Sequence, residues 1–375
     1  MGFETFVGNP RVVSVLRQML RSGRLPHALL LTGPAGIGKL TLAVMLARAV
    51  NCAAGGDDFC GACPACQAIG QLEQPDALVA AALAERGEQP DAATVERVPL
   101  VVQAHPDVWL VPPDPVRRLS PVARPVLRMG QLRAVQRAAV LAPQLRRRIF
   151  ILAGADTMRW DYATILLKTL EEPPETALFV LLAPAPETLL PTLRSRCFVF
   201  RLAPVPAAQV EKFLAERRPE LKAGERRLVA HLARGRPGLA LRLDPGQWVP
   251  LRETVVRVLE LAARGSLDEA LAQIEHLVKQ DAEGFENILE LFYSAATDLL
   301  RYSCGFTRGE MHYPDLQARL ENLGRQVNSE WVTEVVHSLD RLVAGMRRNL
   351  HRELQMTASV ARWSARAVAG RRPEA

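Results

Sequence analysis

The stretch HALLLTGPAGIGKLT, residues 27–41, runs a short apolar segment into a glycine-rich turn and out into an apolar helical pattern. A short continuous apolar run bounded by turn residues reads as a strand buried on both faces. The turn fits GxxxxGK from Gly33 to Lys39, with Pro34, Ala35, Gly36, Ile37 and Gly38 between them. In such a loop, backbone N–H groups wrap phosphates and the lysine reaches the terminal ones, so the spacing points to a nucleotide site, present or ancestral. The position after the lysine ordinarily carries the Ser or Thr that ligates Mg²⁺. Here it is Leu40, and the hydroxyl arrives one residue late at Thr41. Successive helical residues point about 100° apart, so Thr41 does not simply take over.

Two further segments carry the same apolar signature, RRRIFILAG (146–154) and TALFVLLAP (176–184). Helical patterns such as LTLAVMLARAV (40–50) and YATILLKTLEE (162–172) separate the three. This alternation predicts an α/β domain with a covered, mainly parallel sheet over residues 1–203. Phosphoryl-transfer enzymes with this loop end a second strand in acids that hold Mg²⁺ and polarise water. IFILAGADTM (149–158) offers Ala153 and Gly154 there. Asp156 comes later, where a carboxylate more often caps a following helix. Mg²⁺ is therefore not expected to be properly held, and intrinsic ATP hydrolysis is not expected.

Gln71 to Ala104 differs from its surroundings, with six acids, two arginines and many alanines; it reads as a loop or peripheral helix inserted in the domain. Pro115 to Arg148 holds nine arginines and no acid. Such a bias reads first as a solvated face and second as a sequence-independent contact with nucleic-acid phosphates. After Pro204 the strand signals stop, and two short helical patterns (206–219 and 224–235) lead to GRPG. From about Gly246 the chain reads as long amphipathic helices, one opened by a capping box, SLDE, at Ser266. The final AGRRPEA reads as a frayed tail.

Composition narrows the function classes. The 375 residues suit several domains. At 49% hydrophobic and 23% charged, the chain has material for ordinary cores. Aromatics at 5% disfavour a base-stacking platform, and a formal charge of +7 permits nucleic-acid contact without demanding it. Apolar runs stay far below the roughly 20 residues of a membrane span, and the first ten residues lack a signal-peptide pattern. A soluble, cytoplasmic protein with no membrane partner is expected.

Six cysteines are unevenly spread. Cys52, Cys60, Cys63 and Cys66 cluster, while Cys197 and Cys304 stand alone. Four thiolates with two-residue gaps suit tetrahedral zinc, and an iron–sulfur cluster also takes four. Gly55, Gly56, Gly61 and Pro64 supply the turns a metal knuckle needs. Cys197 reads as a small packed residue and Cys304 as a lone thiol. His27 and His105 read as local hydrogen-bonding residues, and the pair Glu171 and Glu172 as a helix end.

Together, the segment FVGNPRVVSVLRQMLRSGRLPHALLLTGPAGIGK, the cysteine cluster, ILLKTLEEPPETALFVLL and LLPTLRSRCFVF resemble bacterial clamp-loader subunits of the AAA+ class, most closely the delta-prime type. The resemblance is strong over residues 1–203 and looser beyond. It implies an AAA+ domain with a zinc knuckle (about 50–68) and an insert (about 71–104), then a helical lid (204–245) and an all-α collar (246–375). The collar would join gamma/tau motor subunits and a delta subunit in an assembly that loads a sliding clamp on primed DNA. In that family the delta-prime type is the inactive, stator-like member, and the metal at the cysteines is Zn²⁺. Arg196, in SRC, matches the family's arginine finger, which acts in trans on a neighbour's ATP. The small polar residue usual before Pro186 is missing from the Ala183–Ala185 stretch, and GRPG puts Gly238 where active relatives carry an arginine. Lys39 and the loop glycines remain, so passive binding of ATP or ADP stays open. Two rival readings are an active gamma-type ATPase, against which Ala153 and Gly154 argue, and a zinc-containing DNA-binding protein with a relic loop.

Overall fold

The computed structural model describes residues 2–87, 90–115, 125–280, 285–305, 311–346 and 351–370. The chain divides into two compact units, Met1–Arg217 with Gly235–Leu241, and Arg218–Arg234 with Arg242–Ala375.

The first unit is built on a six-stranded sheet. Its strands are β1 (Ala28–Thr32), β2 (Val102–His105), β3 (Val108–Val111), β4 (Arg148–Leu152), β5 (Ala177–Ala183) and β6 (Phe198–Arg201), in the order β2-β3-β4-β5-β1-β6. All neighbours are parallel except β2, which folds back on β3. The three apolar runs become β1, β4 and β5, side by side in the middle. Every residue of β1 and β5 is buried, as a strand covered on both faces requires.

The helices of this unit are α1 (Pro10–Arg21), α2 (Lys39–Asn51), α3 (Pro64–Gly70), α4 (Asp76–Ala84), α5 (Ala92–Arg97), α6 (Met129–Ala139), α7 (Trp160–Glu171) and α8 (Pro191–Arg194). Strand side chains alternate between two cores. Leu29, Leu31, Ile149, Ile151 and Val180 meet Leu16 of α1 and Leu42 and Leu46 of α2 on one face. Leu30, Phe150, Leu152 and Phe179 meet Leu132 and Val135 of α6 and Leu166 and Leu170 of α7 on the other. Phe150 and Phe179 stack there at 5.4 Å between centroids.

Residues 204–245 are shared between the units. Helices α9 (Ala207–Arg217) and α11 (Pro237–Ala240) belong to the first, and α10 (Ala223–Leu232) to the second. The second unit continues as α12 (Pro245–Arg264), α13 (Leu267–Gln280), α14 (Phe285–Ser303), α15 (Gln317–Gln326), α16 (Ser329–Met346) and α17 (Arg352–Gly370). Helix α13 starts directly after Ser266 of the expected capping box. Buried Asp298 on α14 ties down the chain before α15 by accepting from the backbone N–H of His312 (3.2 Å) and Tyr313 (3.0 Å). No helix among the described residues is long and apolar enough to cross a membrane.

Two charge-based readings need correction. The insert is helical, as α4 and α5, but it stops short of Ala104, because Val102–Ala104 already belong to β2. Its Arg86 is bolted into the domain by a buried 2.7 Å ion pair with Asp114. The Arg-rich stretch is likewise not one solvated face. Arg133, Arg137 and Arg146 are exposed, but Arg148 is buried against Asp107 at 2.9 Å. Arg117, Arg118 and Arg124 lie outside the described residues.

Candidate functional site

The turn after β1 and the first turn of α2 form the glycine-rich loop that GxxxxGK predicts. Gly33, Gly36 and Gly38 have φ of 147°, 79° and 105°, a region side chains rarely tolerate, so the loop path needs glycine. Gly33 N–H anchors the loop to the end of β5, donating to the carbonyls of Ala183 (3.3 Å) and Pro184 (3.0 Å). Lys39 is folded back on the loop itself. Its Nζ donates to the carbonyl oxygens of Gly33 at 2.5 Å and Pro34 at 2.9 Å. The short helix α11 closes on the same turn, with Gly238 N–H donating to the Gly36 carbonyl at 2.8 Å. A Cβ on Gly36 would meet Leu239 N at 2.8 Å, so this contact too requires glycine.

A cavity of about 340 Å³ borders this loop, lined among others by Phe6, Val7, Gly38, Thr41, Pro237 and Leu241. Leu40, in the metal-ligand position of the motif, instead packs against the α1–α2 side core. At the end of β4, Gly154 has φ 66°, and a Cβ there would lie 2.7 Å from Pro113 Cγ. Backbone and neighbour together strain any side chain at that position. Asp156 does not cap α7, whose N-cap is Arg159. It sits in a single 3-10 turn and acts on Lys39 through its charge.

Burial lowers the Lys39 pKa to about 8, with the Asp156 charge working against it. The folded chain thus releases this proton near pH 8 and the unfolded chain near pH 10.5, so the unfolded state holds more protons between them. Stability rises with pH wherever that is so. The wild-type chain should therefore gain stability relative to Lys39→Met as pH rises from about 8 to 10.5. Urea midpoints of both proteins across that range measure it, and a constant difference would contradict the buried ammonium.

At the other end of α2 stand the cysteines. Cys52 caps the C-terminus of α2, Cys63 caps the N-terminus of α3, and Cys66 lies within α3. The Sγ atoms of Cys52, Cys60, Cys63 and Cys66 all lie within 4.8 Å of one another. A tetrahedral ion with Zn–S bonds of ~2.3 Å has sulfurs ~3.8 Å apart, so the four thiols fit zinc. Backbone N–H groups already point at sulfur, Cys60 N to Cys52 Sγ and Cys63 N to Cys60 Sγ, each at 3.3 Å. Bonds from the N–H groups of Cys63 and Ala62 pull the Cys60 pKa down to about 6, whereas burial pushes Cys66 up to about 12. All four positions are filled by protein, which is the pattern of a structural site.

The knuckle is clamped to the start of the chain. Asp58 Oδ1 accepts from Phe3 N–H at 3.0 Å, and Asp57 pairs with Arg17 (3.1 Å) and Arg21 (2.6 Å) of α1. Phe6 then reaches the loop, and a Cβ on Gly38 would meet its ring at 3.0 Å. Sequence reading did not single out Phe6, Asp57 or Asp58. The acid pair inside the cysteine spacing was the available signal for the last two.

Arg196 lies just past α8, partly exposed. Its Nη2 donates to Glu171 Oε1 at 2.5 Å and its Nη1 to the Thr192 carbonyl at 2.8 Å. Glu171 ends α7, as LEEPP suggests, with Glu172 as its C-cap. Cys197 beside Arg196 packs against the sheet, and burial raises its pKa to about 12, so its thiol is inert at neutral pH. Cys304 is exposed. His105 Nδ1 accepts from Asp107 N–H at 3.1 Å, as a local role predicts. His27 does so only through its carbonyl, which takes Phe179 N–H; its Nε2 is buried without a partner among the described residues.

Residues 8–206 match the family described as DNA polymerase III, delta subunit. The chain is 28% identical over 345 residues to the DNA polymerase III subunit delta' of Pseudomonas aeruginosa, covering 90% of this chain and 92% of that one. It is 29% identical over 208 residues to the delta' subunit of Bacillus subtilis, where the match spans 55% of this chain but only 51% of the relative. A DNA polymerase III gamma subunit-related protein from Thermotoga maritima aligns over 95% of this chain and 99% of its own, with 16% identity and a TM-score of 0.40.

Proposed function

This chain belongs to the DNA polymerase III delta-subunit family, and from that premise we propose that it is a non-catalytic, delta-prime-type subunit of a bacterial clamp loader. In this reading it stabilises the assembly through its helical C-terminal part. It contributes Arg196 in trans to the ATP site of a neighbouring gamma/tau-type motor, and so helps place a sliding clamp on primed DNA. The cysteines hold Zn²⁺ for structure alone, which fixes the end of α2 opposite the phosphate loop.

One observation carries this reading. The chain's own loop stands beside a strand end, Ala153 and Gly154, that carries no acid, with Gly154 left-handed and close to Pro113, while Arg196 keeps a partly exposed guanidinium. A strand end without a carboxylate lacks the group that ordinarily holds Mg²⁺ and polarises water. A planar guanidinium, in contrast, can offset charge developing on a neighbour's γ-phosphate. Passive occupancy of the loop by ATP or ADP would require Lys39 to leave the Gly33 and Pro34 carbonyls.

The test is ATP hydrolysis by a reconstituted loader with sliding clamp and primed DNA, using wild-type chain and Arg196→Ala, with the chain alone as blank. The blank should be silent. Arg196→Ala should slow the assembly by tenfold or more, since fingers of this kind contribute ~10³–10⁵-fold at their strongest. Turnover by the chain alone would favour an active gamma-type motor, and an unaffected rate with Arg196→Ala would remove the finger.

A further inference from the structure

The geometry points to Glu171 as a positioning residue for Arg196, a role that rests on the finger reading above. The two residues come from different elements, the end of α7 and the turn after α8. Their contact is formed within this chain. Glu171 Oε1 takes one N–H of Nη2 at 2.5 Å, and the Thr192 carbonyl takes one of Nη1 at 2.8 Å. The guanidinium is thus pinned from two sides. It carries five N–H donors in a planar fork, so these bonds leave others for the oxygens of an incoming phosphate.

The pair is poorly suited to a stabilising role. Its side chains are 33% and 48% exposed, and ion pairs at such positions contribute little to folding. What it supplies is order. A long side chain that must be immobilised when two proteins meet costs conformational entropy at that moment. A carboxylate that already holds the guanidinium removes part of that cost before assembly. Pro173 and Pro174 follow one residue later, after the C-cap Glu172, stopping α7 and limiting the backbone where the carboxylate is presented. Glu171 therefore acts on the neighbour's reaction through Arg196, without touching the nucleotide.

A double-mutant cycle in the reconstituted loader, with ATP, sliding clamp and primed DNA, tests this. Glu171→Ala should lower kcat and kcat/KM for ATP together by about three- to tenfold, as loss of an interaction expressed in the transition state does. Glu171→Gln, which keeps an acceptor in place, should lose less. On an Arg196→Ala background, Glu171→Ala should cost nothing further. Thermal midpoints of the single variants should match wild type. An equal loss with and without Arg196 would overturn the positioning role, as would an unchanged or faster rate with Glu171→Ala while Arg196→Ala is slow. If Arg196→Ala itself has no effect, the finger reading fails and takes this inference with it.

Discussion

Serine at Cys66 should abolish zinc binding by the purified chain and lower its thermal midpoint by ~8–16 °C, the shift that ~4 kcal/mol produces in a unit of this size. The size follows from where the sulfurs sit. Cys52 and Cys66 are buried, at the end of α2 and inside α3. They draw in Cys60 and Cys63, which lie on the intervening loop. Structural zinc supplies ~10–16 kcal/mol in peptides that fold only around it. Here α2 is also held by the sheet, so only part of that should be lost. The loss should extend beyond the knuckle, because Asp57 and Asp58 hold α1 and the first residues of the chain.

Metal analysis and calorimetry on wild type, Cys66→Ser and Cys304→Ser measure this. Cys304, exposed and alone, should change neither quantity. A thiol-directed displacement of the metal from wild type should reproduce the Cys66→Ser midpoint. A wild-type chain carrying an iron–sulfur chromophore instead of zinc, or a Cys66→Ser chain that melts with wild type, would refute the structural zinc site.

The features that were legible in the sequence are those whose physics is local. β1, β4 and β5 are covered on both faces and so appear as unbroken apolar runs. The glycine-rich loop and the cysteine spacing are patterns of backbone need and ligand reach within a few dozen residues. β6 is four residues long, with Phe198 and Arg201 exposed, and gives no comparable run. β2 is hidden at the end of an acidic insert. The pairing of Arg196 with Glu171 spans 25 positions and depends on where two helices end, which no spacing rule records. Composition misleads most in the arginine run. Nine like charges invite a single explanation, yet Arg148 belongs to the core while Arg133 and Arg137 on α6 face water.

That buried arginine leads to the second large effect. Asp107→Ala should destabilise the chain by ~3–5 kcal/mol, the usual cost of leaving a buried charge without its partner. Asp107 is fully buried in the short turn between β2 and β3. Its Oδ1 takes Arg148 Nε (3.2 Å) and Nη2 (2.9 Å), and its Oδ2 takes the backbone N–H groups of Gln144 and Leu145, both at 2.7 Å. One carboxylate thus joins the β2–β3 turn, the α6–β4 connection and the first residue of β4. Arg148 in turn donates to the carbonyls of Ala138 and Ala142, at 3.0 and 3.2 Å, where the end of α6 favours a cation. Removing Asp107 strands that charge together with two N–H groups. Removing Arg148 as well should help, because an apolar replacement for a buried ion pair is often neutral. Asp107→Ala/Arg148→Met should therefore recover ~1–2 kcal/mol of the loss, with the two N–H groups still unpaired. Urea unfolding of wild type, single and double variants reads both steps. A single variant within about 1 kcal/mol of wild type, or a double variant less stable than the single, would mean that the pair is not what holds the β3–β4 side of the sheet to α6.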